Sequence, residues 1–194
     1  MKILVAITGA SGSIYGLRLL EELLRVGHQV TLVASESGLE VCRYETGVEL
    51  DKADTLKLHW NLPDANLTIR SVTDLWAAEA SGSAAPDVMV IAPCSMGTVG
   101  RIAAGISGNL IERAADVMLK EHRPLLLLPR ETPFSTIHLE NLLKLSRCGV
   151  RIIPAMPAFY QKPVTLDDMV NFVVGKLLDQ LGVEHTLFKR WGEM

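Results

Sequence analysis

Five short stretches of this chain carry hydroxyls, glycines or charges in combinations that suit chemistry. They are Thr8-Gly9-Ala10-Ser11-Gly12, Ser35-Glu36-Ser37, Pro93-Cys94-Ser95-Met96-Gly97-Thr98, Pro129-Arg130-Glu131 and the segment from Pro154 to Tyr160. Gly9 and Gly12 allow a tight turn into a helix start, where free N–H groups and the helix dipole favour an anion. Ser11, Ser95 and Thr98 suit either helix caps or phosphate ligands. The glycines at 9, 12 and 16 do not follow G-x-G-x-x-G, so the dinucleotide fingerprint is absent. Glu36 nevertheless stands about 24 residues beyond Gly12, where a ribose-binding acid could sit. The planar fork of Arg130 suits a phosphate. Glu131 could exchange a proton if burial raised its pKa, and a surface ion pair between the two is the plainer alternative.

Other polar residues have ordinary structural explanations. Lys120 closes an amphipathic stretch and complements a helix dipole. Lys176 borders the apolar stripe of Met169, Val173 and Leu177, so it either snorkels or reaches into a pocket. Asp167 and Asp168 follow Thr165 in a first helical turn, which explains both. His28, His59, His122, His138 and His185 show no metal-ligand spacing. No G-x-S-x-G occurs, and Cys94 has no histidine partner nearby in sequence.

The elements that must position these residues alternate strand and helix. Ile3–Ile7, Val30–Val33, Val88–Ala92, Leu125–Leu128 and Val150–Ile153 read as buried strands. Helical spacing marks Ser13–Val26, a small-residue helix after Ser95, Leu110–Glu121, Ile137–Leu145 and a helix capped by Thr165 that runs to about Leu181. Leu50–Ala85 is irregular and should hold a third strand and a helix. Such alternation implies right-handed crossovers and a doubly wound, mostly parallel sheet with helices on both faces. The five polar stretches then fall at strand carboxyl ends, where open α/β sheets bind ligands.

Composition narrows the function classes. The chain has 194 residues and a net charge of −3, with 19 Lys plus Arg against 22 Asp plus Glu. No basic block suits nucleic acid, and no apolar run approaches the roughly 18 residues of a membrane span. Three dispersed cysteines and no signal-like N-terminus fit a cytoplasmic protein without disulfides or structural zinc. Only 5 % of residues are aromatic against 48 % hydrophobic, so the core must be aliphatic.

The motifs together resemble the flavin prenyltransferase (UbiX-like) family over nearly the whole chain. The resemblance rests on Thr8–Gly12 with Tyr15-Gly16, Pro93-Cys94-Ser95, Glu112–Asp116 running to Lys120-Glu121, and Pro129–Pro133. Ile137–Asn141, Pro157–Tyr160 and Arg190-Trp191 extend it. It implies a single Rossmann-like domain, with residues 1–182 binding FMN and 183–194 forming a tail able to close over the active site. It also implies a metal-independent transfer of a dimethylallyl group, from dimethylallyl monophosphate to N5 and C6 of reduced FMN. The product would serve a UbiD-like decarboxylase, with ubiquinone biosynthesis among the associated pathways. Members form homo-oligomers, typically dodecamers.

Carried over residue by residue, the resemblance places Gly9, Ala10, Ser11, Ser35, Ser95, Met96, Gly97, Thr98 and Arg130 at the cofactor. Tyr160, Lys176, Arg113 and Lys120 fall at the prenyl phosphate, and Trp76 and Trp191 near the prenyl chain. Ser11, Glu45, Glu131 and Lys120 match residues of the chemistry, with Ser11 a candidate relay for the N5 proton. Lys176 departs from relatives that carry Arg, which keeps the charge but loses the fork. Two competitors remain: a flavin-dependent decarboxylase of the cysteine-decarboxylase group, and a non-catalytic flavin carrier. The decarboxylase group typically shows Pro-Ala-Ser-Ala-Asn where this chain has Pro93-Cys94-Ser95-Met96-Gly97, and no histidine lies between Ser35 and Gly47.

Overall fold

Runs of consecutive aliphatic residues can be buried on both faces only if helices cover each side of a sheet. The computed structural model has that arrangement. It describes residues 1–192; Glu193 and Met194, the end of the expected tail, lie outside the described residues. The strands are β1 (Lys2–Ile7), β2 (Gln29–Ala34), β3 (Leu67–Arg70), β4 (Val88–Cys94), β5 (Leu125–Pro129) and β6 (Arg151–Ile152). They pair in parallel in the order β3-β2-β1-β4-β5-β6.

The helices are α1 (Ser13–Arg25), α2 (Glu36–Thr46), α3 (Ala53–His59), α4 (Met96–Ala103), α5 (Leu110–Lys120), α6 (Thr136–Arg147) and α7 (Leu166–Leu181). Strand alternation divides the core in two. Ile3, Val5 and Ile7 of β1 face Leu20 and Leu23 of α1 and Val174 and Leu177 of α7. Leu4 and Ala6 face the other way, into a cluster with Val99 of α4 and Ala114 and Val117 of α5. Connections leave β1 toward β2 on one side, while β4 to β6 continue on the other. The order therefore reverses between β1 and β4, which opens a crevice beyond their carboxyl ends.

Most expected elements lie within a residue or two of their anticipated bounds. The irregular stretch resolves into α3, β3 and two short 3-10 turns, Ala78–Ala80 and Gly82–Ala84. Helix α2 carries no apolar stripe for a pattern to find, since only Gly38 and Cys42 are buried on it. The expected cap of α7 is a reciprocal pair. Thr165 Oγ1 accepts from Asp168 N at 3.1 Å, and the Asp168 carboxylate accepts from Thr165 N at 2.9 Å.

Candidate functional site at the carboxyl ends of the strands

The loops after β1 and β4 are strapped together by a buried hydroxyl. Thr8 Oγ1 donates to Pro93 O at 3.0 Å and accepts from Ser95 N at 2.8 Å. Thr8 stands in the first polar stretch but not among the residues assigned a role from the sequence, although a hydroxyl closing an all-aliphatic strand was a usable signal. Ser95 also caps α4 by accepting from Thr98 N at 3.2 Å, and Ser35 caps α2 by accepting from Gly38 N at 3.0 Å. Gly12 turns the chain into α1 at φ +106°, a left-handed conformation that glycine adopts without strain. Three helix N-termini thus converge on the crevice between β1 and β4.

One of them carries its own anion. Glu45, in the last turn of α2, accepts from Gly12 N at 3.2 and 3.0 Å and from Ser13 N at 2.9 Å. Burial works to raise its carboxyl, but hydrogen bonds from Ser11, Ser13 and Gly12 outweigh this and hold it below the usual range. Glu45 is therefore a carboxylate beside Ser11, and the start of α1 is not the free anion site that the glycine loop suggested. The start of α4 is open instead. A Cβ placed on Gly97 would meet nothing closer than Ser95 Oγ at 3.9 Å, so an oxyanion can approach that backbone.

Arg130 reaches from the end of β5 to the first loop, where its Nε donates to Ser11 O at 3.0 Å. Its terminal nitrogens make no hydrogen bond among the described residues. Glu131 accepts from Thr132 N at 3.1 Å, and no ion pair joins it to Arg130 among those residues. The mutual ion pair is thus absent, and both groups are available to a ligand. The open α4 start, the hydroxyl caps and the uncommitted guanidinium fit the phosphate and ring edge of a flavin mononucleotide. Cys94 is fully buried, and burial pushes its thiol far up, so it is no nucleophile.

The remaining predicted residues lie elsewhere. Tyr160 packs edge-on to Phe172 of α7 and to Trp191, with ring centroids 5.8 and 5.1 Å apart. Lys176 sits farther along α7, paired with Asp179 at 3.2 Å. Trp76 projects into solvent, 99 % exposed. Arg113 bonds Ala80 O and Asp116 on α5, and Lys120 pairs with Glu121 at 2.6 Å. Helix α5 leads into the amino end of β5, whereas Arg130 and Glu131 leave its carboxyl end. About 15 Å of strand therefore separates Lys120 from those two residues within one chain.

A family model described as Flavoprotein matches residues 1–178. Flavin prenyltransferase UbiX of Halalkalibacterium halodurans is 53 % identical over 190 residues, covering 97 % of this chain and 92 % of the relative. The chain belongs to the flavin prenyltransferase (UbiX-like) family. Two solved structures place that family on this fold. A dodecameric protein from Escherichia coli O157:H7, described as an FMN-dependent UbiX-like decarboxylase, superposes with a TM-score of 0.89 at 44 % identity, covering 98 % of this chain and 99 % of that one. AnUbiX, in complex with FMN and dimethylallyl pyrophosphate, also gives 0.89, at 38 % identity and 98 % and 97 % coverage. Within the described residues no cluster of His, Cys, Asp or Glu could hold a metal ion, and no helix is long and apolar enough to cross a membrane.

Proposed function

We propose that this chain joins the dimethylallyl group of dimethylallyl monophosphate to N5 and C6 of reduced FMN, and that a UbiD-like decarboxylase receives the prenylated flavin. The observation that carries the reading is the crevice itself. An open helix start and Arg130 face a ligand's phosphate edge beside Ser11, the Glu45 carboxylate and Glu131. When bound, the reduced flavin supplies the nucleophilic nitrogen and carbon. Ser11, hydrogen-bonded to Glu45, holds a proton at the flavin edge, and Glu131 gives or takes one at the departing phosphate.

Tyr160, Lys176, Arg113 and Lys120 are assigned to the leaving phosphate, whose developing charge they offset as fixed donors. This donor set supports a transfer without a metal ion. Trp76 and Trp191 supply aromatic faces that stabilise an allylic cation without trapping it. Because Lys120 lies at the opposite edge of its own sheet, it serves a site formed with a neighbouring copy. The bare indole of Trp76 fits the same sharing. The dodecameric relative supports a homo-oligomer, with twelve copies as our reading for a cytoplasmic enzyme. Lys176 gives a point charge where an arginine would give a fork, so its grip on phosphate is less directional.

The test is anaerobic incubation of the protein with reduced FMN and dimethylallyl monophosphate, with a parallel arm using the diphosphate. The reading expects a flavin heavier by one five-carbon unit in the monophosphate arm. An unchanged flavin mass in both arms would remove it.

A further inference from the structure

Beyond the residues that face the ligands, one carboxylate organises the last stretch of the chain. Helix α7 runs from the carboxyl edge of the sheet toward the amino edge, where Arg151 at the start of β6 donates to Gln180 O. After Gly182 the tail doubles back along α7. Asp179 is the point on which this return is fastened. Its Oδ1 accepts from His185 Nε2 at 3.2 Å and from Arg190 at 2.8 Å, while Oδ2 accepts from Lys176 at 3.2 Å. His185 Nδ1 accepts from Leu187 N at 3.2 Å, so a neutral imidazole with its proton on Nε2 satisfies both contacts. The His185 side chain is 2 % exposed, which makes it the anchor of the tail.

Apolar contacts follow the same path. Phe188 stacks near Phe172 and His185, each at 5.1 Å, and Lys176 and Arg190 lie 6.0 and 5.8 Å from its ring centre. Gly175 is the seat for this approach. A Cβ there would lie 2.4 Å from Phe188 and 2.7 Å from His185. Beyond Phe188, Gln161 donates to Lys189 O at 2.7 Å, and Trp191 arrives edge-on against Tyr160. The tail therefore links Asp179, at one end of α7, to the Tyr160–Trp191 pair at the other.

We propose that Asp179 is a positioning residue for the prenyl transfer: it clamps the returning tail through His185 and Arg190, and so presents Trp191 and Tyr160 together to the prenyl phosphate. Asp179 also holds Lys176 in place, which sets the cation that the substrate's phosphate must recruit. The proposal rests on the assignment of Tyr160, Trp191 and Lys176 to that substrate. A loosened tail would have to be ordered at each binding event, and that ordering weakens binding. Simple electrostatics predicts the reverse, because removing a carboxylate beside two cations should tighten phosphate binding. The sign of the effect therefore separates clamping from charge.

Asp179→Asn keeps the shape and removes the charge. For this variant in the full-length protein we expect KM for dimethylallyl monophosphate to rise about tenfold with FMN affinity unchanged. Trypsin should also cut faster after Lys189 and Arg190, a readout independent of activity. Asp179→Glu should recover part of both effects. Gly175→Ala, which leaves Asp179 intact but crowds Phe188, should reproduce them. A KM that falls or stays level, or a tail as protease-resistant as the parent's, would overturn the clamp. A parent protein that makes no prenylated flavin would instead overturn the function on which the clamp rests, while the trypsin result still reports on the tail.

Discussion

The loops after β1 and β4 grow out of strands buried along nearly their whole length, whereas the Tyr160–Trp191 corner hangs on ion pairs and ring contacts nearer the surface. Thr8, 1 % exposed, straps the β1 and β4 loops with two hydrogen bonds inside the core. The opposing corner combines a 40 %-exposed Tyr160 with a 75 %-exposed Trp191, and Trp76 stands apart, bare. One side, the strapped loops, is held together by hydrogen bonds within this chain. The other, the Tyr160–Trp191 corner, keeps its aromatic faces largely exposed, and the proposed sharing of the site would have a neighbouring copy cover them. In the proposed function, the strapped loops hold the cofactor while the smaller substrate enters where copies meet.

Substitutions can break this contrast. The largest effect should come from Glu131→Gln, which removes proton exchange without removing a phosphate ligand. Turnover should fall about 10²- to 10⁴-fold while FMN stays bound. A variant that still delivered prenylated flavin at the normal rate would restore the carrier reading. Thr8→Val and Trp76→Ala should then behave as opposites. The first leaves Ser95 N and Pro93 O without their partner, so unfolding measurements should show a loss of about 1–3 kcal/mol. The second should lower kcat/KM by about tenfold or more while the melting temperature moves less than for Thr8→Val. Equal melting shifts would erase the distinction between the two halves.

The smallest effect concerns pH. Burial favours raising the Asp179 carboxyl from its ordinary 3.8, but hydrogen bonds from Arg190, Lys176 and His185 outweigh it and push it down to about 2. The carboxylate's contribution to stability is therefore fully present above pH 4 and is lost as pH falls through 2. Thermal melts between these values should show a decline that Asp179→Asn flattens. Parallel curves for the two proteins would show that ionisation of Asp179 adds nothing to stability.

Much of the fold was legible because buried parallel strands leave an unmistakable aliphatic signature, as in Leu125–Leu128, and because Thr165 announces the start of α7. Helix α2 was not, since it buries almost nothing. At the site, the glycine loop, the two serine caps and Arg130 could be read from their places at strand ends. Glu45 could not be derived from spacing: it reaches the loop from 33 residues away through the packing of α2. Its carboxylate also reverses the expectation that α1 offers a free anion site. The separation of Lys120 from Glu131 was equally hidden, because sequence proximity across the α5–β5 connection conceals opposite edges of the sheet.

That separation allows the most direct test of the shared site. Lys120→Ala and Glu131→Gln chains, each of which the proposed function makes inactive alone, can be co-expressed with different tags and purified as mixed assemblies. The mass of the flavin recovered after anaerobic incubation with reduced FMN and dimethylallyl monophosphate is then measured. If sites draw Lys120 and Glu131 from different copies, some sites in the mixture hold both native residues, and prenylated flavin reappears. Mixed assemblies as inactive as either parent would place both residues in one chain's site and contradict the shared crevice.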